Sequence, residues 1–263
     1  MKSPTMLWTA PAAPPVLRRH EVHVWRVNLD QSNEYVRSLQ QMLAPDELDR
    51  ANRFHQEQDR RRFIMARGVL RLILSTALAV EPDRLRFCYN PYGKPALIAE
   101  PGHEPLDFNL AHSRHLALYA VAWNRPVGVD LEYIHQDFTC EQIAEQFFSP
   151  REQAALKAIT QPAAKCRAFF NGWTRKEAYL KARGAGLSLP LDRFSVSLAP
   201  GEPPRLLDHR DDPAECSRWS LVELTVDPGF AATLAVGGHG WQLACWELTY
   251  EMEIRRLYGN YLC

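Results

Sequence analysis

Two stretches of this chain carry side chains whose types and spacing suit phosphate chemistry. "GVDLE" places Asp130 and Glu132 two residues apart. In a strand, positions i and i+2 point to the same face. Two carboxylates on one face repel each other unless a cation or a proton intervenes. They suit a hard divalent ion, and Mg²⁺ commonly takes one or two carboxylates together with phosphate oxygens. "GWTRKEAYLKARGAGL" sets Trp173, Glu177 and Lys181 at four-residue intervals and then stops at Gly184-Ala185-Gly186. On a helix, Glu177 and Lys181 lie one turn apart and can face the same site. A third carboxylate beside Asp130 and Glu132 would complete a metal site. A lysine one turn on would reach the oxygens of a bound phosphate as a mobile point charge. The plain alternatives are an exposed helix ion pair, worth ~0.3–0.5 kcal/mol, and a solvent-facing strand with spaced acids. Against them stand the bulk of Trp173 and Tyr179 and the glycine turn, which permits positive φ and close backbone approach.

Weaker signals accompany these. "YGKPAL" puts Lys94 after a tight turn, and "FNLAHS" puts His112 at a strand end. The helix spanning residues 59–71 carries Arg60, Arg61, Arg62, Arg67 and Arg71, which could bind phosphate. Each taken singly has a bland reading: a solvated turn lysine, a histidine satisfied by backbone, a solvated helix face.

These residues need elements to hold them. "EVHVWRVNL" alternates apolar and polar residues and reads as a strand. Pro45 with its acidic neighbours suits a helix start. Residues 59–78 carry an apolar stripe of Phe63, Leu70, Ile73, Leu74 and Ala77, which predicts a long helix. A strand, a turn at Asn90-Pro91-Tyr92-Gly93 and an extended piece follow. "LDFNLAHSRHLALYAVAW" holds two strands and "RPVGVDLEYI" a third. Ser149, Pro150 and Glu152 form a capping box. A second long helix ends near Gly184. "DRFSVSL", "RWSLVELTV", "FAATLAVGG" and "WQLACWEL" are later strands. The two long helices share a basic-Phe-apolar rhythm, which suggests an internal duplication. On that reading two α+β halves join near residues 123–127, with a cleft between them where a ligand would bind.

The bulk properties bound the function. The 263 residues are 46% hydrophobic, enough for one large domain or two small ones. Lys plus Arg and Asp plus Glu each total 31, so net charge gives no nucleic-acid or membrane signal. The six cysteines, Cys263 included, show no Cys-x-x-Cys spacing, so neither a zinc site nor a disulfide framework is implied. Prolines interrupt the N-terminus, no apolar run reaches the ~20 residues of a membrane helix, and a cytoplasmic protein is expected. Residues 1–20 read as an extended arm, 21–125 as the first half and 126–263 as the second.

The order of motifs is more telling than any one of them. Gly-Lys-Pro is followed by Phe-Asn-x-x-His-Ser, Gly-Val-Asp-x-Glu, Phe-Phe-Ser-x-x-Glu and Trp-Thr-x-Lys-Glu-Ala-x-x-Lys. The sequence resembles the Sfp-type 4′-phosphopantetheinyl transferases over about Val22 to Ser197. The resemblance implies an α+β fold, a monomeric pseudo-dimer of two similar halves with the active site in the cleft between them. It implies transfer of the phosphopantetheine arm of coenzyme A to a serine of an apo acyl, polyketide or peptidyl carrier protein, releasing 3′,5′-ADP. By motif, Asp130, Glu132 and Glu177 resemble the Mg²⁺ ligands. Lys181 resembles the pyrophosphate contact, and Lys94 and His112 resemble contacts to coenzyme A phosphates. Arg53, Arg62 and Arg67 fall in the basic region that grips the nucleotide phosphates. One departure is Ala111, where the family commonly has serine; a hydroxyl contact there is absent. The serine hydroxyl needs a base, and Glu177 and Glu152 are the two candidates. Two other functions fit the same residues: a Mg²⁺-dependent phosphodiesterase or pyrophosphatase, and a non-catalytic coenzyme A-binding module.

Overall fold

The computed structural model describes residues 7–98, 104–135 and 139–248. The chain runs twice through one order of elements. The first pass holds β1 (Glu21–Asn28), α1 (Asn33–Gln40), α2 (Pro45–Ala51), α3 (Glu57–Leu78), the hairpin β2 (Phe87–Tyr89) and β3 (Pro95–Leu97), β4 (Leu106–Ser113) and β5 (Leu116–Trp123). The second holds β6 (Val127–Tyr133), α4 (Cys140–Phe147), α5 (Pro150–Lys157), α6 (Pro162–Arg183), β7 (Phe194–Val196), β8 (Leu206–His209), the short α7 (Glu215–Arg218), β9 (Trp219–Glu223), β10 (Phe230–Gly237) and β11 (Gln242–Leu248). The α+β fold expected from the sequence is therefore present, as two like halves. Helices α1, α4 and α7 and strand β8 were not anticipated.

Two sheets form the middle of the molecule, in the orders β11-β1-β5-β4 and β6-β10-β9. Alternation in the strands assigns their faces. Val22, Val24, Leu118, Ala120 and Ala122 of one sheet meet Val127, Val129, Leu131, Leu234 and Val236 of the other in a shared core. The opposite face of the first sheet, with Trp25, Val27, Tyr119 and Val121, packs with residues of α3. The opposite face of the second, with Ala231 and Ala235, packs with residues of α6. Both long helices span 22 residues and end in a left-handed residue, Ala79 at φ 53° and Gly184 at φ 66°. Sheets stacked on their apolar faces, each with one helix outside, bury every apolar face the strands present.

The internal duplication extends to the buried ions. One interval separates Ala44 from Ser149, Glu47 from Glu152, Arg71 from Lys176, and Ala79 from Gly184. Glu47 accepts the Ala44 N–H at 3.0 Å and Glu152 the Ser149 N–H at 2.8 Å, so both carboxylates close the first turn of their helix. Each then meets a cation on its long helix: Glu47 pairs with Arg71 at 2.7 Å, and Glu152 with Lys176 at 2.8 Å.

This geometry corrects two expectations. Arg67 leaves the nucleotide-binding set. It is buried, donates to Glu47 through Nε at 2.8 Å and Nη2 at 2.5 Å, and lies over the Phe87 ring. Moving this buried guanidinium out to a ligand would leave the Glu47 charge unpaired. Assigning all of 126–263 to the second half also needs amendment. β11 returns to the first half and pairs parallel with β1, from Glu21 opposite Gln242 to Val27 opposite Leu248. That pairing covers a strand edge that β1 would otherwise expose. The described part of the N-terminal arm continues the pattern: Glu247 N–H donates to the Thr9 carbonyl at 2.9 Å. Residues 1–6 of the arm, and 249–263 with Cys263, lie outside the described residues. Among the described residues no helix is long and apolar enough to cross a membrane.

Candidate active site

β6 and α6 build the centre. Because Val127, Val129 and Leu131 turn into the shared core, the alternate residues Gly128, Asp130 and Glu132 turn toward α6. Gly128 lets the two elements touch. A methyl group there would collide with the Ala178 carbonyl oxygen and the Ala182 backbone nitrogen, neither of which can rotate aside. Gly128→Ala is therefore expected to destabilise the fold by about 1–3 kcal/mol through overpacking. It should also push α6 off β6 and lower activity in the molecules that stay folded. A denaturation midpoint and a rate equal to wild type would contradict this.

The close approach brings Lys181 onto Asp130, Nζ to Oδ1 at 2.6 Å. Asp130 is only 3% exposed, and its Oδ2 is buried with no hydrogen-bond partner among the described residues. Burial, more than Lys181 can offset, raises the pKa of Asp130. Glu132 is pushed up to about 7, first by burial and then by the charge of Asp130, with Glu177 adding to the effect. Burial and Asp130 likewise raise Glu177. Asp130 thus raises both glutamates and Glu177 adds to Glu132, so the carboxylates are held together without enough positive charge among them. Burial disfavours the Lys181 ammonium, yet Asp130, Glu177 and Glu132 outweigh it and raise its pKa. Among the described residues no three His, Cys, Asp or Glu side chains yet converge closely enough to hold an ion. The ammonium on Asp130 stands where a second cation would compete. The donor set still fits a hard divalent ion: all oxygen, mutually repelling, with one buried oxygen unsatisfied.

The seam between the halves completes the site. Asn109 on β4 accepts the Val129 N–H at 2.8 Å through Oδ1. Ser113 accepts the Tyr133 N–H at 3.1 Å and donates to Glu132 at 3.3 Å. On the other side, the Asn90 side-chain amide donates to the Gly184 carbonyl at 2.7 Å, tying the β2–β3 turn to the end of α6. Gly184 and Gly186 both take positive φ there, at 66° and 53°, as the glycine turn predicted. A cavity of about 270 Å³ opens at this seam, lined by Tyr92, Lys94, Asn109, Glu177, Lys181 and Gly184 among others.

The remaining expected residues divide. His112 keeps an exposed face near the centre. Surrounding protein, then the positive charges of Lys181 and Arg62, lower its pKa. Arg62 is held by Asp30 through two 2.8 Å bonds. Arg53 is exposed in the turn after α2. Lys94 lines the cavity, but its ammonium donates to the Val127 carbonyl at 3.3 Å and the Ala182 carbonyl at 3.0 Å, clamping β6 to α6. Ala111 packs into the shared core, so its side chain has no path to a ligand. Glu152 is withdrawn as a base. It is 1% exposed, paired with Lys176, and also accepts the Val196 N–H at 2.7 Å. Asn109 stands inside the "FNLAHS" motif and Asn90 opens the turn named from the sequence, but neither was assigned a role; an asparagine beside a strand end or turn is a ready partner for backbone.

A carboxylate and lysine centre thus lies beside a cavity at the seam of two like α+β halves. Family comparison gives it a name. Residues 25–124 match the model for the N-terminal part of 4′-phosphopantetheinyl transferases, and residues 126–236 match the 4′-phosphopantetheinyl transferase superfamily model. The chain belongs to the 4′-phosphopantetheinyl transferase family. It is 44% identical over 226 residues to the 4′-phosphopantetheinyl transferase HetI of Nostoc sp., covering 86% of this chain and 92% of that protein. It is 30% identical over 205 residues to the 4′-phosphopantetheinyl transferase Sfp of Bacillus subtilis, covering 76% of this chain and 84% of that one. The protein is thus a transferase that places phosphopantetheine on carrier proteins.

Proposed function

We propose that the donor is coenzyme A, bound at the seam cavity, and that Asp130, Glu132 and Glu177 hold a Mg²⁺ ion beside its diphosphate. The observation that carries this reading is the buried, unpartnered Oδ2 of Asp130, set against Glu132, Glu177 and Lys181 beside that cavity. When bound, the ion supplies charge neutralisation at the diphosphate. The protein's own groups do the rest. Glu177, raised by burial and by Asp130, accepts the proton of the carrier serine as its hydroxyl attacks phosphorus. The P–O bond to the departing 3′,5′-ADP breaks, and the ammonium of Lys181 meets the charge that develops on that phosphate. His112 adds a donor on the side of Arg62, and Arg62 and Arg53 present positive charge to the nucleotide phosphates. Lys94 acts here through position, by keeping β6 against α6 at the cavity wall.

The test is intact-mass measurement on a panel of apo fatty-acid, polyketide and nonribosomal-peptide carriers, incubated with coenzyme A and Mg²⁺. The expected result is one phosphopantetheine added to at least one carrier, with one equivalent of 3′,5′-ADP released, and no reaction after chelation by EDTA. Release of 3′,5′-ADP from coenzyme A without any carrier would support the hydrolase instead.

A further inference from the structure

We propose that Lys181 is the resident counter-ion of Asp130 and must release that carboxylate to the metal ion, so that cation and coenzyme A bind interdependently. This rests on the reading of Asp130 as a cation ligand.

Three observations lead to it. First, the ammonium sits 2.6 Å from Asp130 Oδ1, and it is the ion-pair partner this nearly inaccessible carboxylate has. Without it the charge on Asp130 would be buried and uncompensated. Second, the other oxygen, Oδ2, is buried and idle, and among the described residues no ligand set is closed around it. Asp130 is thus half used, by a cation supplied by the chain itself. Third, the two partners differ in freedom. Asp130 lies mid-strand, opposite Thr233 in the β6–β10 ladder. Lys181 lies in the last turn of α6, lines the cavity, and has a side chain 32% exposed. Any exchange of partners must come from the lysine, which has four rotatable bonds and open space to move into.

A divalent ion on Asp130 and an ammonium at hydrogen-bond distance from the same carboxylate repel each other. The repulsion is relieved when an anion receives the ammonium on its far side. A diphosphate entering the cavity is such an anion, and it also supplies oxygens to the ion. Without it, Lys181 opposes the metal. With it, both cations are satisfied. By linkage, the factor by which coenzyme A tightens the metal is the factor by which the metal tightens coenzyme A.

The probe is Mn²⁺, followed by electron paramagnetic resonance and titration calorimetry on protein freed of coenzyme A. Wild type is expected to bind Mn²⁺ at least tenfold more weakly without coenzyme A than with it at saturation. Lys181→Met should bind Mn²⁺ without coenzyme A at least tenfold tighter than wild type, and adding Asp130→Asn should abolish the gain. Lys181→Gln serves as the second variant, with circular dichroism to confirm the fold. If neither variant binds Mn²⁺ more tightly than wild type while wild type binds it with coenzyme A, the counter-ion proposal fails and the metal site stands. If Mn²⁺ fails to bind even to wild type with coenzyme A, the metal reading itself fails and the proposal goes with it.

Discussion

Asp130→Asn is expected to lower carrier modification by roughly 10²–10³-fold, the range seen when one fixed electrostatic group is lost from a transition state, while leaving the protein folded. The substitution preserves volume, so the β6–α6 contact survives. The amide must turn its NH₂ either toward Lys181 or toward the position of the idle Oδ2, and in either direction it repels a cation. Stability should change little. The wild-type carboxylate is buried at a cost that its raised pKa records, and the neutral amide removes that cost. Lys181, partly exposed, can turn to water. The measurements are kcat/KM for a carrier at saturating coenzyme A and the thermal midpoint on the same preparations. More than a tenth of wild-type activity would remove Asp130 from the reaction. A collapsed midpoint would show that it holds the fold instead.

Glu152→Ala should do the reverse. Lys176 is wholly buried, and Glu152 at 2.8 Å is its countercharge. Its ammonium also donates to the carbonyls of Leu191 at 2.8 Å and Phe194 at 2.6 Å, but carbonyl dipoles do not neutralise it. Removing the carboxylate strands that charge and leaves the N–H groups of Ser149 and Val196 without acceptors. Breaking a buried ion pair from one side costs about 3–5 kcal/mol. Urea unfolding should show a free energy of unfolding lowered by that amount. The fraction that remains folded should turn over at the wild-type kcat. A variant of normal stability and lost activity would restore Glu152 as a catalytic candidate. The two variants thus separate a carboxylate that serves the reaction from one, Glu152, that serves the fold.

Several parts of the molecule were legible because their causes are local. Val22, Val24, Trp25 and Val27 announce a central strand by alternation, and Ser149, Pro150 and Glu152 announce a helix start by side-chain chemistry. Gly184 marks a helix end because its φ is positive. Asp130 and Glu132 share a face because strand geometry requires it. The second capping carboxylate, Glu47, was open to the same reasoning, since "APDELDR" aligns with "SPREQAA". The duplication would have led from Glu152 back to it, and from Lys176 to Arg71.

Other outcomes depended on contacts between distant segments. Arg67 and Arg62 look alike as arginines on one helix, yet one is paired with a buried glutamate and the other with the half-exposed Asp30 nearer the surface. Lys94 carries its charge to two carbonyls because the hairpin turn happens to lie over the end of α6. β11 crosses back to β1, a choice between sheet edges that no local pattern encodes. The sequence by itself determined which side chains could do the chemistry and which elements would carry them, since strand and helix periodicity follow from the backbone. Only the tertiary structure decided which charges are free and which are spent on each other, because an ion pair depends on the few ångströms between groups that the chain keeps far apart in order.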